Sequence, residues 1–540
     1  MPRGKIPTKA ELIQLQKLYK TDEKIAERLG GVTPQLVAYW RRKKNIARHA
    51  YPKFSELDIK EMWERFGDDY RAGLELGLSK AAFYNWRRKY GIKEKPAFLK
   101  LEQLELNLGG PTRAAGKRPS SGSQTAVQKI LSERSGLKRV EVDQMVSVEP
   151  DLVVVHDDAA GVIERFQSSG LKYVWNPGRI IISLDRTVPA ANEETAAAHH
   201  MIRDFVRRQN LRNFYDVAEG SGHLLAVENG HILPGQLALG TDPFVASFGC
   251  IDSFAAGVTP SEMSAIWATG RLETIVPATI KVNINGRIAS VLSAKDIALF
   301  IYKNLREVEI SGKAIEFNGA AVAQMPIAER FTLCNFAVAM GARAAICPFD
   351  SNTRRYFLGR THMPYRPALA DKDAVYLDTY EFNIDNIGPQ IAITSDGRRI
   401  AGVAEVEGVP VQQIVIGSCG NARIEDLRII ADILKGKKIH SEVRMLIYPA
   451  SRSVYLEALK KGFLRALVEA GALIMNPGSG PCPAGFHKNL APGEKCLTTA
   501  PLRLDDLLDG ATGDIFLVSA ATAAASALKG VISDPTGYVR

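Results

Sequence analysis

Apolar and polar positions keep one rhythm in the first hundred residues of this chain and another beyond residue 125. Over residues 8–19 apolar side chains recur at helical spacing, the pattern of one buried helix face. Thr21-Asp22 offers an N-cap for EKIAERL, and Gly30-Gly31 breaks the chain. Thr33 then caps a third helix with Pro34 at its first position, where a missing N–H costs nothing. The same punctuation returns with Asp68-Asp69, Gly77 and Ser79, which predicts three helical stretches in each copy. Past residue 125, β-branched runs such as RIIISLD (179–185) and VQQIVIGS (411–418) read as buried strands. IEDLRIIADILKG (424–436) and YLEALKKGFLRALVEAG (455–471) read as helices. That alternation predicts α/β domains with largely parallel sheets.

The two N-terminal copies are related by a period of 46, which sets Trp40 against Trp86, Arg41-Arg42 against Arg87-Arg88 and Ile46 against Ile92. Helix, glycine turn and a capped helix ending in a basic run is the helix-turn-helix pattern. Charge sharpens this reading. The chain carries a net +10, and its first 100 residues hold 23 Lys+Arg against 12 Asp+Glu, so the excess lies in that block. DNA is the expected partner, although a basic helical surface alone does not separate it from RNA. Gln35, Val37, Ala38 and Tyr39 in the first copy, with Lys80, Ala81, Tyr84 and Asn85 in the second, are the candidates for base edges. Arg41, Arg42, Lys43, Lys44, Arg87, Arg88 and Lys89 are the candidates for phosphates. Trp40 and Trp86 are expected as core anchors.

At 540 residues the chain is too long for one core. We divide it into a first helix-turn-helix repeat at 1–48, a second at 49–95, a flexible basic linker at 96–124 and an α/β body at 125–540. The linker follows from LNLGGPTRAAGKRPSSGSQT, rich in Gly, Pro, Ser and basic residues. No apolar run of membrane-spanning length and no signal-type apolar core is present, so a cytoplasmic protein is expected. Six cysteines without a CxxC pair argue against a disulfide framework or a structural zinc site. Cys250, Cys334 and Cys347 are expected to be small core residues.

Several long motifs in the body occur in a recognisable order: VPATIKVNINGRIASVLSAKDIALFI (276–301), AIEFNGAAV (314–322), TLCNFAVAMGARA (332–344), IGSCGNARIEDLRIIADILKGKKI (416–439) and SGPCPAGFHKNLAPGEKC (479–496). Together they resemble the aconitase superfamily, most closely the large subunit of 3-isopropylmalate dehydratase, over almost all of residues 125–540. The resemblance implies three α/β domains around a cleft, without the swivelling domain. In the dehydratase that domain is a separate small subunit carrying a serine base. It also implies hydro-lyase chemistry on a [4Fe–4S] cluster held by three thiolates, with the fourth iron open as a Lewis acid.

Carried over residue by residue, the resemblance is incomplete. Two cluster positions are Cys419 and Cys482, but the position between them is Ser479, whose hydroxyl is a far poorer iron ligand. An Asp-His pair becomes Asp185-Arg186, and an Asp-Ser-His-Thr run becomes Asp242-Pro243-Phe244-Val245. A helix glutamate falls on Ala339 and a substrate arginine on Leu502, while the histidine of Gly-x-Cys-His survives as His223. Arg503 and Cys496 are the substitutes nearest to hand for Leu502 and Ser479, and catalytic geometry tolerates little displacement. Losses in three separate roles predict a catalytically degenerate body with no confident cofactor. The main expectation is therefore a DNA-binding regulator whose aconitase-like body senses a small carboxylate or a partner. The alternative is a divergent iron–sulfur hydro-lyase large subunit acting with a separate small subunit. A third possibility is a scaffold for a dehydratase subunit.

Overall fold

Side-chain caps start the N-terminal helices. The structure, a computed structural model, describes residues 6–19, 21–30, 32–47, 54–66, 69, 72–73, 76, 78–92, 112–113, 122–393, 399–480, 490–501 and 514–539. It divides into two units, Met1–Glu105 and Leu106–Arg540. In the first, α1 (Lys9–Tyr19), α2 (Asp22–Leu29) and α3 (Pro34–Lys43) are followed by α4 (Glu56–Phe66) and α5 (Lys80–Lys89). Thr21, Thr33 and Ser79 accept from the backbones of Lys24, Leu36 and Ala82, capping α2, α3 and α5. The middle helical stretch expected in the second copy lies largely outside the described residues. Small cores hold the copies: Ile25, Ala26 and Val37 in the first, and Ile59, Trp63, Ala72, Leu78 and Phe83 in the second. Trp40 is buried and Trp86 half-buried against Phe54 and Tyr90.

Two of the arginines expected on phosphate do something else. Arg41 forks onto Asp22, with Nε–Oδ1 at 3.1 Å and Nη2–Oδ2 at 3.0 Å, and its Nη1 donates to the Ile46 carbonyl. Arg87 repeats this on Asp69 at 2.8 and 3.0 Å and on the Ile92 carbonyl, with its guanidinium 4.0 Å from the Trp63 ring centroid. Each guanidinium is consumed inside its own copy, so Arg41 and Arg87 are clasps of the fold rather than exposed cations.

The second unit is built on three sheets of five to seven strands. The first, wholly parallel, runs Asn213–Tyr215, Ile180–Ser183, Leu152–Val155, Leu237–Gly240, Phe254–Gly257. Its central strands Leu152–Val155, Ile180–Ser183 and Leu237–Gly240 are buried at every position, as a sheet covered on both faces requires. The second centres on Thr279–Asn285, and the third, of seven strands, carries Gln413–Ile416 at the middle of its parallel half. Among the described residues no separate swivelling domain follows.

Two expectations change. The stretch 455–471 is two helices, Arg452–Lys460 and Phe463–Ala470, because Gly462 turns left-handed at φ +77° between them. Part of the expected free linker belongs to the body. Thr112–Arg113 pairs with Asp378–Asn383, and the Gln124 N–H donates to Asp371. Among the described residues no helix is long and apolar enough to cross a membrane.

Candidate active site

Three neighbouring strands of the wholly parallel sheet each deliver a chemical group just past their carboxyl ends. Leu152–Val155 leads to His156, Ile180–Ser183 to Asp185 and Leu237–Gly240 to Asp242. Helix Gly222–Glu228 adds His223 in its first turn. The carboxyl edge of an open α/β sheet is where such folds assemble binding sites. His156 and His223 are each 1% exposed, and both aspartates are buried.

Asp185 is the hub. His156 Nδ1 lies 2.9 Å from its Oδ1, while the Gly222 N–H and the Ser479 hydroxyl donate to its Oδ2 at 3.1 and 2.7 Å. Ser479 Oγ is also 3.1 Å from Ser221 Oγ. The backbone of Asp185 is fixed too: its N–H and that of Arg186 donate to Asp157, and its carbonyl accepts from Ser479 and Gly480. Asp242 accepts from the Phe244 N–H at 2.7 Å and is paired with Arg186. The two imidazole centroids are 4.4 Å apart. His223 Nε2 stands 3.7 Å from Asp242 Oδ1, too far for a hydrogen bond. His156 Nε2 and both nitrogens of His223 are buried without a hydrogen-bond partner.

Two glycines make the hub possible. A Cβ on Gly222 would stand 2.9 Å from Ser183 Cβ and 3.0 Å from His156 Cε1, so the bare backbone lets the imidazole pass. Gly478, at φ +147°, would bring a Cβ within 2.7 Å of the Asp185 carbonyl.

Burial would raise both carboxyl pKa values, yet both fall below the ordinary range. The charge of His156 does this for Asp185, and Arg186 does it for Asp242. Burial opposes a proton on His156, but Asp185 outweighs it and the pKa rises. Burial and then the neighbouring His156 push His223 down. The two imidazoles, 4.4 Å apart, are thus shifted in opposite directions by their surroundings.

The cluster positions taken from the resemblance fare differently. Cys419 is fully buried and packs with Phe244, Ala246 and Val338. Its backbone, with those of Ser418 and Ala422, is left-handed at φ +44°, +77° and +59°, a conformation that costs non-glycine residues energy. Ser479 gives its hydroxyl to Asp185 instead of offering a thiolate. Phe244 occupies space beside Cys419 where the resembling run has its histidine. This donor set does not fit a three-thiolate [4Fe–4S] cluster. Cys482, Leu502 and Arg503 lie outside the described residues. Cys496 is no substitute for Ser479: it sits in strand Lys495–Thr498 with its thiol on the Leu497 carbonyl, and burial pushes its pKa up to about 12. Ala339 ends helix Ile327–Ala339, buried, and Cys250, Cys334 and Cys347 are core residues as expected.

The structure therefore joins His223, Asp185, Asp242 and Ser479, all singled out from the sequence, around His156, which sequence reasoning passed over. Its one signal was position, a histidine immediately after the four-residue buried strand Leu152–Val155. In the N-terminal unit Gln35, Tyr39, Arg42, Lys43, Lys80, Tyr84, Asn85, Arg88 and Lys89 are exposed and Lys44 is partly so.

The model of the aconitase family (aconitate hydratase) matches residues 128–405 and 398–530. The chain is 37% identical over 417 residues to 3-isopropylmalate dehydratase large subunit 1 of Methanopyrus kandleri, covering 77% of this chain and 100% of that relative. It is 39% identical to a probable methanogen homoaconitase large subunit of Methanosarcina mazei, over 71% of this chain and 98% of the relative. With the 3-isopropylmalate dehydratase large subunit of Moorella thermoacetica it shares 34% identity, over 77% and 99%. Matches that span whole enzyme subunits overturn the expectation of a DNA-binding regulator with a merely ligand-sensing body. Substitutions at single positions carry less weight than sequence retained over the length of an enzyme subunit.

Proposed function

The chain belongs to the aconitase family, and we propose that it is the large subunit of a hydro-lyase acting on a hydroxy-di- or tricarboxylic acid together with a separate small subunit. The observation that carries this reading is its match to the full length of dehydratase and homoaconitase large subunits. Removing water across two adjacent carbons needs a base for the C–H, an electrophile for the departing hydroxyl and a cation for substrate carboxylate. In this chain His156 and His223 are the groups placed to supply or hold the electrophile. Asp185 orients His156, and Arg186 is the cation in the same cluster. The base belongs to the small subunit. With both imidazoles 1% exposed, substrate reaches them only when the surrounding chain opens.

The test is turnover. The full chain is combined with a dehydratase small subunit, supplied with divalent metal and offered 3-isopropylmalate, homocitrate and citrate. Formation of the unsaturated acid is followed in the ultraviolet. Turnover of at least one acid is expected. A stable two-subunit complex that converts none of them overturns the reading.

A further inference from the structure

We propose that His156, His223 and Asp242 form a mononuclear site for a divalent first-row transition metal ion, which supplies the electrophile that thiolate-held iron supplies in the resembling enzymes. Its catalytic use rests on the hydro-lyase reading above; the binding site itself does not.

One ligand atom from each of the three residues lies within 4.8 Å of the others, and all three side chains are buried. The nitrogens among them are open: His156 Nε2 and both His223 nitrogens have no hydrogen-bond partner. A buried polar atom left in that state costs stability, so three in one place mark a site that a partner completes. Donor atoms on one ion stand about 3 Å apart, and binding draws these three together.

The surroundings are those of a metal site rather than of a packed histidine pair. Histidine ligands characteristically hand their other ring nitrogen to a carboxylate, which fixes the tautomer and aims the free nitrogen. His156 does this through Nδ1 to Asp185, and Asp185 is itself fixed by Ser479 and Gly222. Ser479 thus acquires a role, since the hydroxyl at the lost thiolate position steadies the carboxylate behind a histidine ligand. Asp242 divides its oxygens, with Oδ2 toward Arg186 and Oδ1 toward His223 and the Phe244 N–H. Two imidazoles and one carboxylate suit zinc, cobalt or ferrous iron better than magnesium or calcium. Three protein ligands also leave coordination positions open for substrate hydroxyl and carboxylate, as in catalytic sites.

The test uses the full chain, stripped with chelator and titrated with Co(II). One equivalent is expected to bind, with visible d–d bands of nitrogen–oxygen coordination and no thiolate charge-transfer band, and Zn(II) is expected to displace it. His223→Gln and Asp242→Asn weaken Co(II) binding at least tenfold. Asp185→Asn weakens it about 10–100-fold, while Cys419→Ser and Cys482→Ser leave it unchanged. Circular dichroism identifies any variant that fails to fold, and for those the spectrum of the unaltered chain decides. Absence of Co(II) binding by that chain, or a thiolate band lost in Cys419→Ser, overturns the proposal. Turnover without the Co(II) site removes this inference and leaves the hydro-lyase reading. The Co(II) site without turnover does the reverse.

Discussion

Arg87 in the N-terminal unit and Arg186 in the body are both arginines paired with aspartates, but the two pairs sit in opposite circumstances. Arg87 forks onto Asp69, caps the Ile92 carbonyl and lies over Trp63, so both charges are satisfied locally. Arg41 does the same with Asp22 and Ile46. Arg186 meets Asp242 inside a cluster where three imidazole nitrogens have no hydrogen-bond partner. A closed network of this kind stabilises a fold and has nothing left to offer a ligand. An open one costs stability and persists where something binds or reacts. Residue type and charge alone do not separate the two cases; the count of satisfied atoms does.

The contrast is broken most directly at His223. His223→Gln is expected to lower kcat of the two-subunit enzyme by about 10²–10⁴-fold, with thermal unfolding little changed; a variant as active as the parent would place this cluster with the clasps. Next in size is Arg87→Met, which removes charged hydrogen bonds worth about 1.5–3 kcal/mol in the N-terminal unit. Tryptophan fluorescence during urea unfolding reads that loss, and turnover by the body should not move. Ser479→Ala deletes one of the bonds that hold Asp185 and should cost about 1 kcal/mol. Ser479→Cys should not raise iron and sulfide content after anaerobic reconstitution, and a full cluster in that variant would contradict the reading of Phe244 beside Cys419.

A separate set of effects lies in pH. Asp185 and Asp242 have folded pKa values below their unfolded ones. Their contribution is present above the unfolded value, about 3.9, and is lost as pH falls through the folded values. Asp252 runs the other way. Burial lifts it from 3.8 to about 8, so what it contributes is present below 3.8 and declines as pH rises toward 8. Asp252→Asn should therefore flatten the fall in melting temperature across that interval, and an unaltered slope would remove Asp252 from the account.

Much of the fold is legible in the chain because burial writes itself as pattern. RIIISLD and VQQIVIGS contain the strands Ile180–Ser183 and Gln413–Ile416, and IEDLRIIADILKG contains helix Ile424–Leu434. Gly462 is visible in the sequence, but the apolar stripe of 455–471 runs through it. The site is legible only in part. Asp185, His223, Asp242 and Ser479 stand out through the resemblance, but their meaning depends on His156, which is 29 residues from Asp185 in sequence and 2.9 Å away in space. Parallel strands make that juxtaposition, and no local spacing encodes it. Arg41 and Arg87 erred in the opposite direction, because a basic run shows charge but not whether an aspartate about 19 residues upstream has already claimed it.

The packing of Phe244 against Cys419 also shapes what this sequence can become. A thiol at position 479 would strip Asp185 of a donor while the Phe244 ring still packed against Cys419. Replacing the ring alone would open a void with too few sulfurs to line it. Each single step loses something and neither wins anything by itself, so a thiolate set at this place lies at least two coordinated substitutions away.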